Sequence, residues 1–407
     1  MRLLYTIVLR LALPLIVLRL WWRGRREPGY REGIPERFGF YEGERPERVI
    51  WVHAVSVGEA RAAAPLVRAL GQAYPDHTIL MTGTTAAGRE TLKQVYGESV
   101  MVAFVPYDYP ESVQSFLERW HPRLGILMET EIWPNLLAGC AAYGIPVVLA
   151  NARMSEKSAR GYQRWRALSR PAIGSLAAVC AQSEADAARL RALGAPRVEV
   201  TGNLKFDVTL DTAQLAAGRE WKTKVARPVL LLASTREGEE KLLLEQLAGN
   251  ELFLTVVVPR HPQRFDDVAS ISQSRRTRAR LPQPGDQVHL GDTMGEMAFY
   301  YAACDVAIIG GSFMPLGGQN LIEALAAGAP VIFGPSMFNF AEASRRALEA
   351  GAAIQTAGPA AAVRSARELL ADSARRATMR EAGKQLCALH RGATQKHLAV
   401  LSSLGRD

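Results

Sequence analysis

The sequence predicts an α/β protein of two doubly wound halves, each a parallel sheet covered by helices, preceded by an apolar N-terminal helix. From about residue 48 onward, short Val/Ile/Leu-rich runs alternate with segments of helical periodicity, as strands buried on both faces require. The series is interrupted once, by a polar and then Ala-rich stretch at 198–211, and afterwards resumes. A chain of 407 residues, 48% hydrophobic and 22% charged, has room for two or three domains at ~150 residues each and is neither disordered nor a polytopic membrane protein.

Residues 3–22 are apolar apart from Arg10 and Arg19 and contain Pro14. The stretch is long enough to span a hydrocarbon layer of ~30 Å, but a central arginine costs roughly 2.5–3.5 kcal/mol on insertion. An interfacial helix fits at least as well. Trp21-Trp22 and the basic run Arg23, Arg25, Arg26 stand where a signal peptide would carry small residues, so the segment is expected to remain uncleaved. By the positive-inside rule these arginines set the chain beyond Trp22 in the cytoplasm.

Strands are expected at 49–55, 78–82, 100–105, 124–128, 147–150 and 177–181 in the first half. In the second they are expected at 229–233, 253–258, 288–290, 306–309 and 331–333. The helical tail from Ala374 is expected to pack back on the first half. The domains so read are an anchor helix at 1–22, a first domain at 23–205, a second at 206–375 and a returning helix at 376–407. Two such halves facing each other bind substrates at the carboxyl ends of their strands, in a central cleft.

The candidate site residues lie at those ends. The first strand runs into Val55-Ser56-Val57-Gly58-Glu59, where Ser56 and Gly58 suit a tight turn that presents backbone amides to a phosphate. Glu59 there is a general base or a first-turn glutamate that favours the helix dipole. Glu129 and Glu131 come directly after the fourth apolar run; one of them lines the site, and Glu131 equally suits a cap for the helix at Trp133-Pro134. Lys205, one of only eight lysines, either neutralises an anion or pairs with Asp207 or Asp211.

In the second half, Val258-Pro259-Arg260 ends a strand where an arginine can grip a phosphate. Gly310-Gly311-Ser312 closes another strand, and Gly317-Gly318-Gln319-Asn320-Leu321-Ile322-Glu323 opens a helix whose amides suit a phosphate and whose Glu323 suits ribose hydroxyls. No Walker A or GxGxxG sequence occurs, so a nucleotide would be bound in another way.

Seven histidines without HxH or HExxH, and no DxD, argue for a reaction without a metal. Cys140, Cys180, Cys304 and Cys387 lie far apart, which fits a reducing compartment. The net charge of +9, carried mostly by arginine, suits nucleic acid, phosphate-rich substrates and anionic membranes alike. The densest basic run, 275–280, reads as a solvated loop or as an anionic-membrane contact.

Several motifs carry a resemblance, in order from the first residues to about Phe340. They include Arg37-Phe38-Gly39-Phe40-Tyr41, His53-Ala54-Val55-Ser56-Val57-Gly58-Glu59, Met128-Glu129-Thr130-Glu131-Ile132-Trp133-Pro134-Asn135, Gly202-Asn203-Leu204-Lys205-Phe206-Asp207, Val258-Pro259-Arg260-His261-Pro262, Gly291-Asp292-Thr293-Met294-Gly295-Glu296 and the run from Gly317 to Glu323. Together they resemble the Kdo transferases, which move 3-deoxy-D-manno-oct-2-ulosonic acid (Kdo) from CMP-Kdo to lipid A precursors in lipopolysaccharide assembly.

The resemblance implies an inverting, metal-independent GT-B glycosyltransferase at the cytoplasmic face of the inner membrane. It implies no cofactor, CMP-Kdo as donor, a lipid A precursor (lipid IVA) as acceptor, a membrane surface met by the N-terminal helix, and no nucleic acid. By motif, Glu59 would be the base, and Glu129 and Lys205 would support the transition state. Pro259, Arg260, Met294, Gly295, Glu296, Asn320, Leu321, Ile322 and Glu323 would hold CMP; for Met294, Gly295 and Glu296 the family supplies the whole argument. Ser56, Gly58 and Gly311 remain phosphate-loop candidates from their positions. The chain departs from the family with Gln319 and Arg236, where His is usual. The alternatives are a GT-B transferase for another nucleotide sugar and a non-catalytic protein bound to anionic lipid.

Overall fold

Alternating burial on the two sides of each strand organises the chain. In the computed structural model, which describes residues 1–25, 28–249, 252–279 and 281–404, fourteen parallel strands form two seven-stranded sheets. Arg26, Arg280 and residues 405–407 lie outside the described residues.

The first sheet contains β1 (Val49–His53), β2 (Thr78–Gly83), β3 (Met101–Phe104), β4 (Leu124–Met128), β5 (Val147–Ala152), β6 (Ala178–Ala181) and β7 (Val198–Val200), in the order β3-β2-β1-β4-β5-β6-β7. Val49 and Trp51 enter one core with Phe116 and Leu117, whereas Ile50 and Val52 enter the other with Leu66 and Leu70. Period-two alternation of apolar residues on both faces is what makes these strands continuous hydrophobic runs in sequence.

The second sheet contains β8 (Val229–Thr235), β9 (Leu254–Pro259), β10 (Ser274–Arg275), β11 (Val288–Leu290), β12 (Val306–Ile309), β13 (Val331–Phe333) and β14 (Ala353–Gln355), in the order β10-β11-β9-β8-β12-β13-β14. The strand order reverses between β1 and β4 in the first sheet and between β8 and β12 in the second, and such reversals are where open α/β sheets bind ligands.

The chain divides into unit 1, Met1–Asp207 with Gly392–Asp407, and unit 2, Val208–Arg391. The boundaries expected at 205 and 375 therefore fall at Asp207 and Arg391. The expected linker holds the edge strand β7 and the turn Leu204–Phe206, both within unit 1. Helix Ser373–His390 stays with unit 2: Gly383 brings it close to Leu325, and Arg380 Nε donates to the Gly328 carbonyl at 2.9 Å. Only after Gly392, at φ 78°, does the chain rejoin unit 1, where Ala393, Val400 and Leu401 enter the core of Ile50 and Val52. Asp207 fastens this return by accepting from the amides of Gly392 at 3.0 Å and Thr394 at 2.8 Å.

Candidate active site

In unit 1 the reversal point carries three carboxylates. Beyond β1, Ser56 caps the helix Val57–Ala62, its Oγ accepting from the Glu59 amide at 3.2 Å. The Glu59 side chain turns back: Oε1 accepts from the Ser56 hydroxyl and Oε2 from the Val55 amide, both at 2.9 Å. Ser56 and Glu59 bond to each other as in a capping box, with the carboxylate taking the amide one residue before the cap. Ser56 and Gly58 thus do not form a phosphate loop, because the helix has only six residues and Glu59 fills its amino end.

Glu59 is 9% exposed, and burial pushes its pKa up to about 7; Glu129 and Glu131 push the same way, while the Val55 and Ser56 donors oppose. A carboxylate poised there can take a proton near neutral pH.

Glu129 follows β4 directly, with φ at 57°. Its amide donates to the Ala150 carbonyl of β5 at 2.9 Å, and Oε1 lies 3.3 Å from Lys205 Nζ. Lys205 therefore pairs with Glu129 rather than with Asp207, which holds the returning chain, or Asp211, which caps helix Thr212–Val225. Glu131 accepts from the Trp133 indole at 2.7 Å, and burial raises its pKa.

Behind Lys205 lies a buried polar network. The Leu204 amide donates to Asn151 Oδ1 at 3.0 Å, and Asn203 Nδ2 donates to Gln182 Oε1 at 2.9 Å. Gln182 Nε2 donates to the Asn151 carbonyl at 2.9 Å, and the Asn151 amide donates to His397 Nε2 at 2.9 Å. These groups fix the lysine's backbone, as residues beneath a precise site must.

In unit 2 the ends of β8 and β9 open on a pocket of about 460 Å³. Its walls include Ser234, Val258, Pro259, Arg260, Met294, Gly295 and Glu323, with Thr293, Met297 and residues 208–211 beside them. Arg260 feels the Glu323 carboxylate electrostatically yet makes no ion pair among the described residues. Asn320 Nδ2 donates to Glu323 Oε1 at 2.8 Å; burial raises the Glu323 pKa, opposed by Asn320 and Arg260.

Other expected contacts are placed differently. Leu321 and Ile322 are 0% and 1% exposed, so their side chains belong to the core, and the Ile322 amide is held by Asn320 Oδ1 at 3.0 Å. Glu296 is gripped by Arg276 at 2.8 and 3.2 Å and by the Thr293 hydroxyl; the Arg276 contact is the main cause that lowers its pKa. Arg276 also lies over the Phe299 ring, and Arg275 Nε pairs with buried Asp292 at 2.5 Å. These two arginines of the basic run are thus internal partners rather than a solvated loop or a membrane contact.

The glycine-rich turn does not offer the expected phosphate loop either. Fully buried Glu239 accepts from the amides of Gly311 at 2.6 Å, Arg236 at 2.9 Å and Phe313 at 3.0 Å. The amides of Gly317, Gly318 and Gln319 meet Ser336 Oγ, the Gly311 carbonyl and the Gly310 carbonyl. Helix Ile322–Ala327 has six residues. Among the residues that line the pocket, Arg260 carries the one cationic side chain.

Sequence reading missed Ser234 and residues 208–211, and it missed Glu239. The signal for Ser234 was its place at a strand's carboxyl end; nothing in sequence pairs Glu239 with Gly311. Among the described residues no group of three or more His, Cys, Asp and Glu side chains is arranged to hold a metal.

Two doubly wound seven-stranded units, with functional groups at their reversal points, define a GT-B glycosyltransferase fold. MurG of Acinetobacter baumannii aligns with a TM-score of 0.54 at 14% identity, over 88% of this chain and 100% of that one. Residues 32–208 match the family described as 3-deoxy-D-manno-octulosonic-acid transferase (kdotransferase). A 3-deoxy-D-manno-octulosonic acid transferase of Bordetella pertussis is 46% identical over 98% of both chains, and one of Haemophilus influenzae is 37% identical over 98% of both. The chain belongs to the Kdo transferase family.

Proposed function

We propose that the protein transfers Kdo from CMP-Kdo to a sugar hydroxyl of a lipid A precursor such as lipid IVA, with inversion, without a metal or cofactor, at the cytoplasmic face of the inner membrane. The observation that carries this reading is Glu59: a desolvated carboxylate with pKa about 7, in a chain of this family. The acceptor hydroxyl attacks the anomeric carbon of Kdo, Glu59 takes its proton, and the bond to the phosphate oxygen breaks, so that CMP leaves with the electron pair. Lys205 and Glu129 stabilise charge beside the base. In unit 2, Arg260 balances the charge that develops on the leaving phosphate, and Glu323 accepts hydrogen bonds from the ribose. The exposed apolar helix Arg2–Arg23 and the arginine excess suit an anionic glycolipid held in a bilayer.

The test is transfer by purified protein from CMP-Kdo to tetraacylated lipid A precursor in EDTA, beside Glu59→Gln, with products resolved by mass. Wild type should add Kdo, with kcat/KM falling on the acid side of a pKa near 7; Glu59→Gln should lose about 10²- to 10⁴-fold. A folded wild type that ignores CMP-Kdo and uses a UDP-sugar would overturn the donor assignment.

A further inference from the structure

The helix Arg2–Arg23 is apolar enough to cross a bilayer, and its contacts decide how it meets one. At 1.5 Å per residue it is ~33 Å long, about the thickness of a hydrocarbon core. Both of its ends are tied to unit 1. Near the start, the Thr6 hydroxyl meets buried Asn135, whose Nδ2 donates to it at 3.0 Å, and the Tyr109 hydroxyl donates to the Leu9 carbonyl at 2.9 Å. Arg10 pairs with Glu111. Near the end, Leu20 is buried, and Arg23 lies over the Tyr30 ring at 4.4 Å.

Between these ties the shielded positions Thr6, Leu9, Leu13, Ile16, Leu20 and Arg23 recur at helical spacing. On the opposite face Leu4, Val8, Leu11, Leu15, Leu18 and Trp22 recur with the same period, and each is 54–75% exposed.

A helix held across a bilayer would carry Thr6 to the far side from Arg23. The contacts with Asn135, Tyr109 and Glu111 would then break, or folded unit 1, with its buried Asn135 and Asp108, would have to lie in lipid, where unsatisfied polar groups are not tolerated. Neither difficulty arises if the helix stays on its unit.

From this geometry we propose that Arg2–Arg23 lies in the plane of an anionic membrane surface, its Leu4–Trp22 stripe sunk among the acyl chains, and does not cross. Arg19 and Arg25 then reach the lipid phosphates, and Trp21 sits at headgroup depth. The inference deepens the membrane association proposed above and rests on it.

The experiment uses the full chain with an N-terminal epitope tag, expressed in a Gram-negative bacterium and probed with protease in spheroplasts and in inverted inner-membrane vesicles. The tag should be cut in inverted vesicles alone, and alkaline carbonate should release the protein. The variant Leu11→Glu/Leu15→Glu, changed at two exposed positions, should move to the soluble fraction with its melting temperature kept. Cleavage of the tag in spheroplasts, with resistance to carbonate, would mean a spanning helix and overturn the proposal while leaving membrane association intact. A wild type found wholly in the soluble fraction, yet active on detergent-dispersed acceptor, would remove membrane association and leave the transfer reaction standing.

Discussion

Lys205 Nζ stands 3.3 Å from Glu129 Oε1, a pair closed across 76 residues of sequence at the carboxyl end of β4. Both side chains are about a quarter exposed, at 27% and 23%, so as an ion pair they add at most ~1 kcal/mol to stability. That modest value makes the pair a clean test of catalytic against structural roles. Lys205→Met and Glu129→Gln should each lower kcat by about 10²-fold or more with melting temperatures almost unchanged, and the double variant should be no worse than the poorer single one. Full activity in Lys205→Met would reduce the contact to a surface ion pair.

Glu59 links activity to instability. Its folded-state pKa of about 7 lies above the ordinary 4.5, so the folded state binds the extra proton. The stability from that proton is fully present below pH 4.5 and is lost as pH rises through 7, a cost of about 3 kcal/mol. Glu59→Gln, which has no charge to desolvate, should melt higher than wild type at pH 8, by ~1–3 kcal/mol of stability, with the advantage shrinking at pH 5. Calorimetry at the two pH values checks this; a variant less stable at both would mean that its lost carboxylate hydrogen bonds outweigh desolvation.

The core strands were legible because both faces are buried. Leu124–Met128, Val288–Leu290, Val306–Ile309 and Val331–Phe333 have the bounds that their apolar runs imply. The edge strands Val198–Val200, Ser274–Arg275 and Ala353–Gln355 were not, since an edge needs no continuous apolar run and Val200 is 40% exposed. For the site, strand ends pointed to Glu59, Glu129 and Arg260, whose positions follow from local order along the chain. The glycine-rich turn misled because Glu239, 72 residues from Gly311, is brought to its amides only by the pairing of β8 with β12.

His397 joins the returning helix to the lysine's support. Its Nδ1 donates to the Ala393 carbonyl at 2.7 Å and its Nε2 accepts the Asn151 amide, which requires the neutral ring; burial lowers its pKa to about 4. For a histidine lowered from 6.5, the stability is present above pH 6.5 and lost as pH falls through 4. His397→Ala should cost ~2–4 kcal/mol at pH 7 and much less at pH 4, read by denaturant unfolding. An equal loss at both pH values would show that packing alone matters.

Ser234, at the carboxyl end of β8, holds φ at 56°, a left-handed conformation that glycine takes freely and serine does not. Among the described residues its hydroxyl meets Met297 Sδ alone, at 3.9 Å, a weak acceptor, and the residue lines the same pocket as Arg260. Strain at a residue with an underused donor suits a ligand contact, which under the proposed reaction is with the nucleotide. Ser234→Gly should relieve the backbone and stabilise the protein by up to ~1 kcal/mol. Loss of one hydrogen bond of ~1 kcal/mol should raise the Kd for CMP about fivefold. Calorimetric titration with CMP beside a thermal melt reads both; a variant that gains stability and binds CMP as tightly as wild type would leave Ser234 as a strained wall of the pocket.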